Sequence, residues 1–234
     1  MKALLAFLTG FLLAIGAPAA STALRPAIVG SKKFTESYVL ADIAQLAIER
    51  EGLPAEHRQG MGGTVILWEA LKEGSITCYP EYTGTIREVI LKTRGPRTEG
   101  TEEADLDQMR LQLAQYGVAM TGKLGFNNTY ALVMRRERAE RLGIQQISDL
   151  NRYPQLPLGL SHEFLGRNDG WTPLRARYGL HARNVRGMDH TLAYEALAKG
   201  EIDVMDAYST DARIAEADLA VLHDDHGFFP QLIF

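Results

Sequence analysis

Cysteine is almost absent from this chain, in which Cys78 is the single one among 234 residues. An intramolecular disulfide is therefore impossible, even in an oxidising compartment. Cys78 lies in an apolar run after a helical pattern, and we interpret it as a small buried hydrophobic residue rather than a reactive thiol.

A strong excess of either charge is also lacking, since the formal net charge is only -4. No basic patch or basic run is present, which excludes nucleic acid as a partner. The glycines of "QGMGGTVILWEAL" form neither G-x-G-x-x-G nor a Walker A motif, which argues against a nucleotide. The sequence thus predicts no cofactor.

Motifs of known catalytic machinery are missing as well. The chain contains no G-x-S-x-G, no H-E-x-x-H and no supported Cys–His arrangement. The cluster His223-Asp224-Asp225-His226 has metal-ligand chemistry, but we interpret it as a polar loop after a strand, because its spacing alone is weakly specific. We expect neither a metal site nor an enzyme.

Long apolar runs are confined to the N-terminus. Lys2 is followed by an uninterrupted apolar or small stretch up to Ile15, and then by the small-residue sites Ala17-Pro18-Ala19 and Ser21-Thr22-Ala23. This pattern is typical of a cleavable signal peptide, here residues 1–23. Because no cysteine follows for lipid attachment, we expect the mature chain to be free in a periplasm.

The rest of the chain alternates helical and strand patterns, which favours an α/β fold with mostly parallel strands. The apolar positions of the first helix, Ile43 and Leu46 among them, follow helical spacing, and Thr35 stands where its N-cap is expected. The predicted strands are "AIVGS", "SITCY", "TYALVMR", "PLGLS", "EIDVMD" and "DLAVLH". Further helices are predicted at "TVILWEALKEG", "ADLDQMRLQLAQYG", 136–142 and 190–199.

One segment occurs twice. "EALKEGSITCYPEYTG" begins at Glu69 and "EALAKGEIDVMDAYST" at Glu195, so that Tyr82 matches Tyr208 at a constant offset of 126 residues. Such a distance is too long for a solenoid repeat and fits two similar lobes. Ligands in open α/β sheets lie beyond the carboxyl ends of strands, where both tyrosines are expected. A chance recurrence of a common helix-to-strand sequence is the alternative.

Several predicted element ends carry lysine, arginine, threonine and tyrosine side chains. Converging aromatic faces suit a quaternary ammonium ion through cation–π attraction, and lysine and arginine suit a carboxylate. Each tyrosine could equally be a packing residue. The segments concerned are "GSKKFTES", "GMGGT", "YPEYTGT", "GFNNTYALV", "EFLGRNDGW" and "DAYSTD".

In their order, "VGSKKFTES", "GMGGTVILWEALKEG", "YPEYTGT", "GFNNTYAL" and "LAKGEIDVMDAYSTDARI" resemble the periplasmic substrate-binding proteins of osmoprotectant ABC transporters, which take glycine betaine, carnitine or choline. The resemblance runs from Ala27 to Pro230. It implies a two-lobed type II periplasmic binding-protein fold with a hinge and a ligand cleft between the lobes. We expect lobe 1 at 24–124, lobe 2 at 125–218 and a return toward lobe 1 at 219–234.

The resemblance also implies a ligand site. In the relatives a box of tyrosines holds the trimethylammonium group, while lysine, arginine and threonine hold a carboxylate. Transferred position by position, the box consists of Tyr82, Tyr130 and Tyr208, with Asn128 where some relatives have an acidic residue, and the carboxylate partners are Lys32, Thr85 and Arg167. Thr64 is added from its place at the start of a helix.

This assignment implies a monomeric receptor for a small quaternary-ammonium solute that delivers it to an inner-membrane ABC permease. One departure is evident, because the sequence ends in "FFPQLIF" and Leu232 stands where the family has a further tyrosine. The tail that follows in relatives is lacking, so a truncated or degenerate protein without ligand is one alternative. An exported enzyme acting on a betaine-like solute is another.

Overall fold

The structure is a computed structural model that describes residues 25–93, 102–125 and 127–229. The predicted signal peptide and Leu232 lie outside these residues. Within the described part of the chain, no helix has the length and apolar character needed to span a membrane.

The first lobe is built around two parallel strands, β1 (Ala27–Lys32) and β2 (Ala55–Gly62). The predicted strand "SITCY" is wrong except at one residue, because only Cys78 forms a bridge, to Val29. Pro80 follows within two residues, and proline has no N–H to continue a ladder. The lobe is completed by the helices α1 (Thr35–Arg50), α2 (Thr64–Lys72), α3 (Thr83–Thr85) and α4 (Glu102–Ala114) and by a π-helical segment, Ile86–Leu91.

Helix α1 is confirmed, but its predicted details are not. Its N-cap residue is Phe34 in an extended conformation, so Thr35 is already the first helical residue. The small side chains of Ser37 and Ala41 are buried, while Ile43 and Leu46 are 57% and 63% exposed. The helix therefore packs through its small residues, and an apolar stripe in the sequence did not identify its buried face.

The second lobe contains a five-stranded sheet in the order β5-β4-β6-β3-β7. Strands β5, β4 and β6 are parallel, and β3 is antiparallel to both of its neighbours. The segment after 218, predicted to return toward lobe 1, adds β7 to this sheet and Phe229 to its core. The strands are β3 (Tyr130–Arg135), β4 (Pro157–Ser161), β5 (Asn184–Met188), β6 (Val204–Tyr208) and β7 (Leu219–Val221).

Helices cover both faces of this sheet. Two of them, α5 (Arg136–Leu142) and α8 (His190–Lys199), have the predicted bounds. The core on one face is formed around Leu160, Phe164 and Leu174, and that on the other around Leu197 and Met205. The remaining helices are α6 (His162–Gly166), α7 (Trp171–Tyr178) and α9 (Arg213–Glu216), with a 3-10 helix at Ile147–Arg152.

The duplicated segment occupies equivalent places in the two lobes. Helices α2 and α8 are each followed by a glycine in the left-handed region, Gly74 at φ 71° and Gly200 at φ 75°. Cys78 then bridges to β1 in parallel, and its counterpart Val204 pairs with β4 in parallel. Tyr82 and Tyr208 follow at the carboxyl ends of these segments, so the repeat predicted two equivalent positions facing the same cleft.

Candidate functional site

Four aromatic rings meet where the two lobes touch, and we call Phe34, Tyr82, Tyr130 and Tyr208 the aromatic cluster. Phe34 of the first lobe lies 4.5 Å from Tyr208 of the second and 6.3 Å from Tyr82, measured between ring centroids. Tyr130 lies 5.1 Å from Tyr208. The three predicted tyrosines are thus brought together, and Phe34 is an additional member.

Local structure explains how these rings converge. Tyr130 and Tyr208 are directly opposed on the antiparallel strands β3 and β6, which places their side chains on one face. Tyr82 and Phe34 are the extended residues that precede α3 and α1. Burial raises the pKa of Tyr82, of Tyr130 and of Tyr208, so all three remain neutral phenols at physiological pH. Sequence analysis missed Phe34, whose only signal was its place between Lys33 and Thr35.

Glu36 in the first turn of α1 lies beside the aromatic cluster. Its Oε1 accepts hydrogen bonds from Tyr82 Oη at 2.5 Å and from Asn128 Nδ2 at 2.7 Å, and its Oε2 accepts one from Thr210 Oγ1. The Oδ1 atom of Asn128 is buried and has no hydrogen-bond partner among the described residues. Asn128 therefore contacts a carboxylate through its amide nitrogen. Glu36 was not predicted as a site residue.

The two predicted cations, Lys32 and Arg167, are almost completely buried in the cleft. Lys32 Nζ lies 2.6 Å from Glu81 Oε1 and 5.5 Å from the centre of the Tyr82 ring. Burial raises the pKa of Glu81, against the opposing attraction of Lys32. An isolated buried lysine would lose several kcal/mol of solvation, so Glu81 is the partner that makes this position tolerable.

Arg167 reaches across the interface between the lobes. Its guanidinium donates to both oxygens of Asp169, at 2.7 and 2.6 Å, and to Thr85 Oγ1 of the first lobe at 3.0 Å. Burial by itself would lower the pKa of Arg167, but the hydrogen bonds to Asp169 and the electrostatic effects of Tyr130, Asp169 and Glu163 together raise it. The guanidinium carbon also lies 5.5 Å from the centre of the Tyr130 ring.

Thr64 makes a second contact between the lobes. It is the first residue of α2, whose N-cap is Gly63. Its hydroxyl donates to Glu163 Oε1 of the second lobe at 2.7 Å. The same oxygen lies 3.9 Å from Lys32 Nζ and 3.8 Å from Arg167 Nη1. Sequence analysis did not identify Glu163.

A fully buried carboxyl group supports α6, the helix that carries Glu163. Asp206, in the middle of β6, accepts hydrogen bonds from the backbone N–H and the hydroxyl of Ser161, both at 2.6 Å. The Ser161 hydroxyl in turn accepts from Phe164 N, which caps α6. Burial raises the pKa of Asp206. This chain of hydrogen bonds fixes the start of α6 relative to strand β6.

One serine, histidine and aspartate are arranged as in hydrolase triads, away from these contacts. His57 Nε2 lies 2.7 Å from Ser31 Oγ, and His57 Nδ1 lies 2.6 Å from Asp42 Oδ1. However, Ser31 has zero exposure, and its oxygen already accepts a hydrogen bond from Gly60 N at 3.1 Å. A substrate cannot reach this hydroxyl, so the arrangement joins β1, β2 and α1 structurally.

The His223–His226 segment makes packing contacts. Asp224 accepts hydrogen bonds from the Tyr178 hydroxyl and from Phe228 N and Phe229 N, and His226 stacks on Tyr178 with ring centres 4.4 Å apart. These side chains fix the polypeptide after β7 against α7.

A profile described as the substrate-binding domain of the ABC-type glycine betaine transport system matches residues 26–232. The chain is 34% identical to the ergothioneine transport permease/ergothioneine binding protein EgtU of Helicobacter pylori, over 88% of this chain and 37% of that protein. It is 35% identical to a glycine-betaine-binding protein of Pseudomonas aeruginosa, over 86% of this chain and 68% of that one.

A solved structure titled as a glycine betaine/carnitine/choline ABC transporter is similar in fold. It is 28% identical, with a TM-score of 0.63, over 87% of this chain and 76% of that one. Together with the two sheets described above, this likeness confirms the predicted two-lobed type II periplasmic binding-protein fold. The chain therefore belongs to the OpuAC family, the substrate-binding domains of ABC-type glycine betaine transport systems.

Proposed function

We propose that this protein is the solute receptor of an ABC importer and captures a small quaternary-ammonium osmoprotectant between its lobes. The ligand would lie against Tyr82, Tyr130 and Tyr208, with Asn128 beside them, and the polar contacts would come from Lys32, Thr64, Thr85 and Arg167. The lobes would close over it and present the closed form to an inner-membrane permease.

The observation that carries this proposal is the aromatic cluster itself. Neighbouring rings from the two lobes lie 4.5–6.3 Å apart, and the cluster stands beside the carboxylate of Glu36. Aromatic faces attract a quaternary ammonium ion without needing a hydrogen bond from it, and a nearby carboxylate adds Coulomb attraction. Membership of the family supports the same reading.

The predicted export signal at residues 1–23 supports a periplasmic location, and we propose that the receptor acts there as a monomer. Enzymatic turnover of the solute is the competing function. The triad-like Ser31 is buried, which disfavours it. If the solute keeps its mass after prolonged incubation with the protein, turnover is excluded directly.

The proposal is tested by isothermal titration of the purified chain with choline, glycine betaine, carnitine and ergothioneine. We expect saturable binding of at least one of them. Tyr208→Ala should weaken that binding at least about tenfold, or about 1.4 kcal/mol, because a cation–π face is lost. Tyr208→Phe retains the aromatic face and should stay within about threefold of the wild type.

The same measurements define the result that would contradict the proposal. Binding by Tyr208→Ala as tight as that of the wild type would remove Tyr208 from the site. A chain that is folded by circular dichroism but binds none of the four solutes would instead favour a degenerate protein or a ligand of another class.

A further inference from the structure

Both cations of the cleft already have an acidic partner within the protein. Lys32 pairs with Glu81 and Arg167 pairs with Asp169, at 2.6 Å in each case. The side chains of Lys32 and Arg167 are only 3% and 5% exposed. A ligand carboxylate would therefore meet two cations whose charges are balanced by neighbouring acids.

A third carboxylate stands at the point where a ligand anion would reach both cations at once. Glu163 Oε1 accepts a hydrogen bond from Thr64 and lies at nearly equal distances from Lys32 Nζ and Arg167 Nη1, 3.9 and 3.8 Å. Thr64 begins the nine-residue helix α2, whose N-terminal end carries a partial positive charge. Lys32, Arg167 and the first residue of α2 thus all face Glu163.

Acidic side chains outnumber Lys32 and Arg167 in this part of the cleft. Among the described residues, the carboxyl groups of Glu36, Glu81, Glu163 and Asp169 line the same cleft as Lys32 and Arg167. A ligand carboxylate placed near Glu163 would be repelled by a like charge in a partly buried site, where repulsion is strong. A ligand that carries a positive charge alone avoids that repulsion and gains attraction from the surplus acids.

We infer that Glu163 determines the specificity of this receptor. Its carboxylate occupies the position between Lys32 and Arg167 at which the carboxylate of a ligand would otherwise bind. The preferred ligands are then quaternary ammonium compounds without a carboxylate, such as choline, and zwitterionic betaines bind more weakly because they must displace Glu163. Rejection of this kind, by a like charge placed against the unwanted ligand, is a common source of specificity. The inference rests on the proposed function.

Calorimetric titration of the wild type and of Glu163→Gln with choline and glycine betaine tests it. We expect the wild type to bind choline at least about tenfold more tightly than glycine betaine, because only betaine is repelled. Glutamine keeps the size of the side chain and an oxygen that accepts from Thr64, but removes the charge. Glu163→Gln should therefore bind glycine betaine at least about tenfold more tightly than the wild type, whereas choline, which loses the attraction of one acid, should bind no more tightly than before.

Glu137→Gln is the matched control, since it removes one charge from the same lobe at a side chain that is 84% exposed on α5. It should leave both affinities unchanged. A wild type that binds glycine betaine as tightly as choline overturns the inference without any variant, and so does a choline-to-betaine ratio that Glu163→Gln leaves unaltered. In those cases the proposed function stands. If a folded wild type binds neither solute, this inference fails, and the proposed function fails with it only if carnitine and ergothioneine do not bind either.

Discussion

Lys32 carries its charge into a position where only 2% of the residue is exposed, and the residues near it show how the cleft tolerates this. Its ammonium group reaches Glu81, a residue 49 positions away, whose own side chain is 8% exposed. Removing one partner of a buried ion pair costs about 3–5 kcal/mol, because the other charge is left without compensation. The site residues on this side of the cleft are consequently also residues on which folding depends.

The buried carboxyl group of Glu81 gives a pH dependence of stability. Because burial raises the pKa of Glu81 above its usual 4.5, the folded state binds its proton more tightly than the unfolded state. The wild type should therefore lose stability relative to Glu81→Gln as the pH rises above about 4.5 toward the folded-state pKa. Urea unfolding at a series of pH values measures this difference.

Glu51→Gln, at the exposed C-cap of α1, removes a carboxyl group outside the cleft and is the control for the substitution itself. If the difference in free energy of unfolding between the wild type and Glu81→Gln does not change with pH, Lys32 offsets the effect of burial on Glu81 completely.

At the scale of secondary-structure elements, the duplicated helix and turn is the unit that both lobes share. Helix α2 and helix α8 each end before a glycine with positive φ, and the chain then enters a segment parallel to a central strand. A residue with a Cβ atom is strained at such a φ by about 1–2 kcal/mol. The glycine therefore fixes the direction in which the following tyrosine approaches the cleft.

Gly74→Ala tests this turn. Nothing lies within 4 Å of the added Cβ, so the expected destabilisation of about 1 kcal/mol comes from backbone strain alone. Gly84→Ala is the matched control, because its site in α3 is equally open and its φ is not positive. There alanine should be neutral or stabilise by about 0.4–1 kcal/mol through the unfolded chain.

Thermal or urea unfolding measures the change in stability that each of the two alanine substitutions causes. Equal stabilities for Gly74→Ala and Gly84→Ala would show that the left-handed conformation is not required at the end of α2.

At the scale of the whole molecule, the lobes are joined by a few polar contacts. Lys33 and Asp189 pair at 2.8 Å with both side chains largely exposed, and such a pair contributes about 0–1 kcal/mol. The contacts of Thr64 with Glu163 and of Thr85 with Arg167 are more buried and involve a charged group, for which about 1.5–3 kcal/mol is typical. The inner contacts therefore dominate the closed arrangement.

Glu36 joins the lobes at the aromatic cluster, and this gives a kinetic prediction that rests on the proposed function. Glu36→Ala removes the acceptor for Tyr82, Asn128 and Thr210, so the closed form should open more readily. We expect dissociation of bound choline to accelerate at least about fivefold while association changes less than about threefold, as measured by stopped-flow fluorescence.

Two further variants make this result specific to the interface. Glu49→Ala changes an exposed glutamate of the same helix and should have no effect on either rate. Thr210→Val removes one of the two hydrogen bonds that second-lobe side chains donate to Glu36, and it should accelerate dissociation by a smaller factor. A Glu36→Ala variant that loses affinity through slower association alone would contradict a role in holding the lobes together.

The sequence alone predicted much of this architecture. Alternating helix and strand patterns, two helices with their observed bounds and the repeat that ends in Tyr82 and Tyr208 were all evident from local spacing. The predictions for the N-cap of α1, the strand around Cys78 and the buried face of α1 were wrong. Those features depend on what packs against a segment, which periodicity within the segment does not encode.

The sequence by itself determined which side chains were available to the cleft, because glycine turns and strand ends follow from local residue preferences. Only the tertiary structure decided their partners. Lys32 meets Glu81 across 49 residues, Thr64 meets Glu163 across 99, and Glu36 meets Thr210 across 174. Pairings of this range depend on how each lobe folds and on how the two lobes meet, neither of which local sequence spacing encodes.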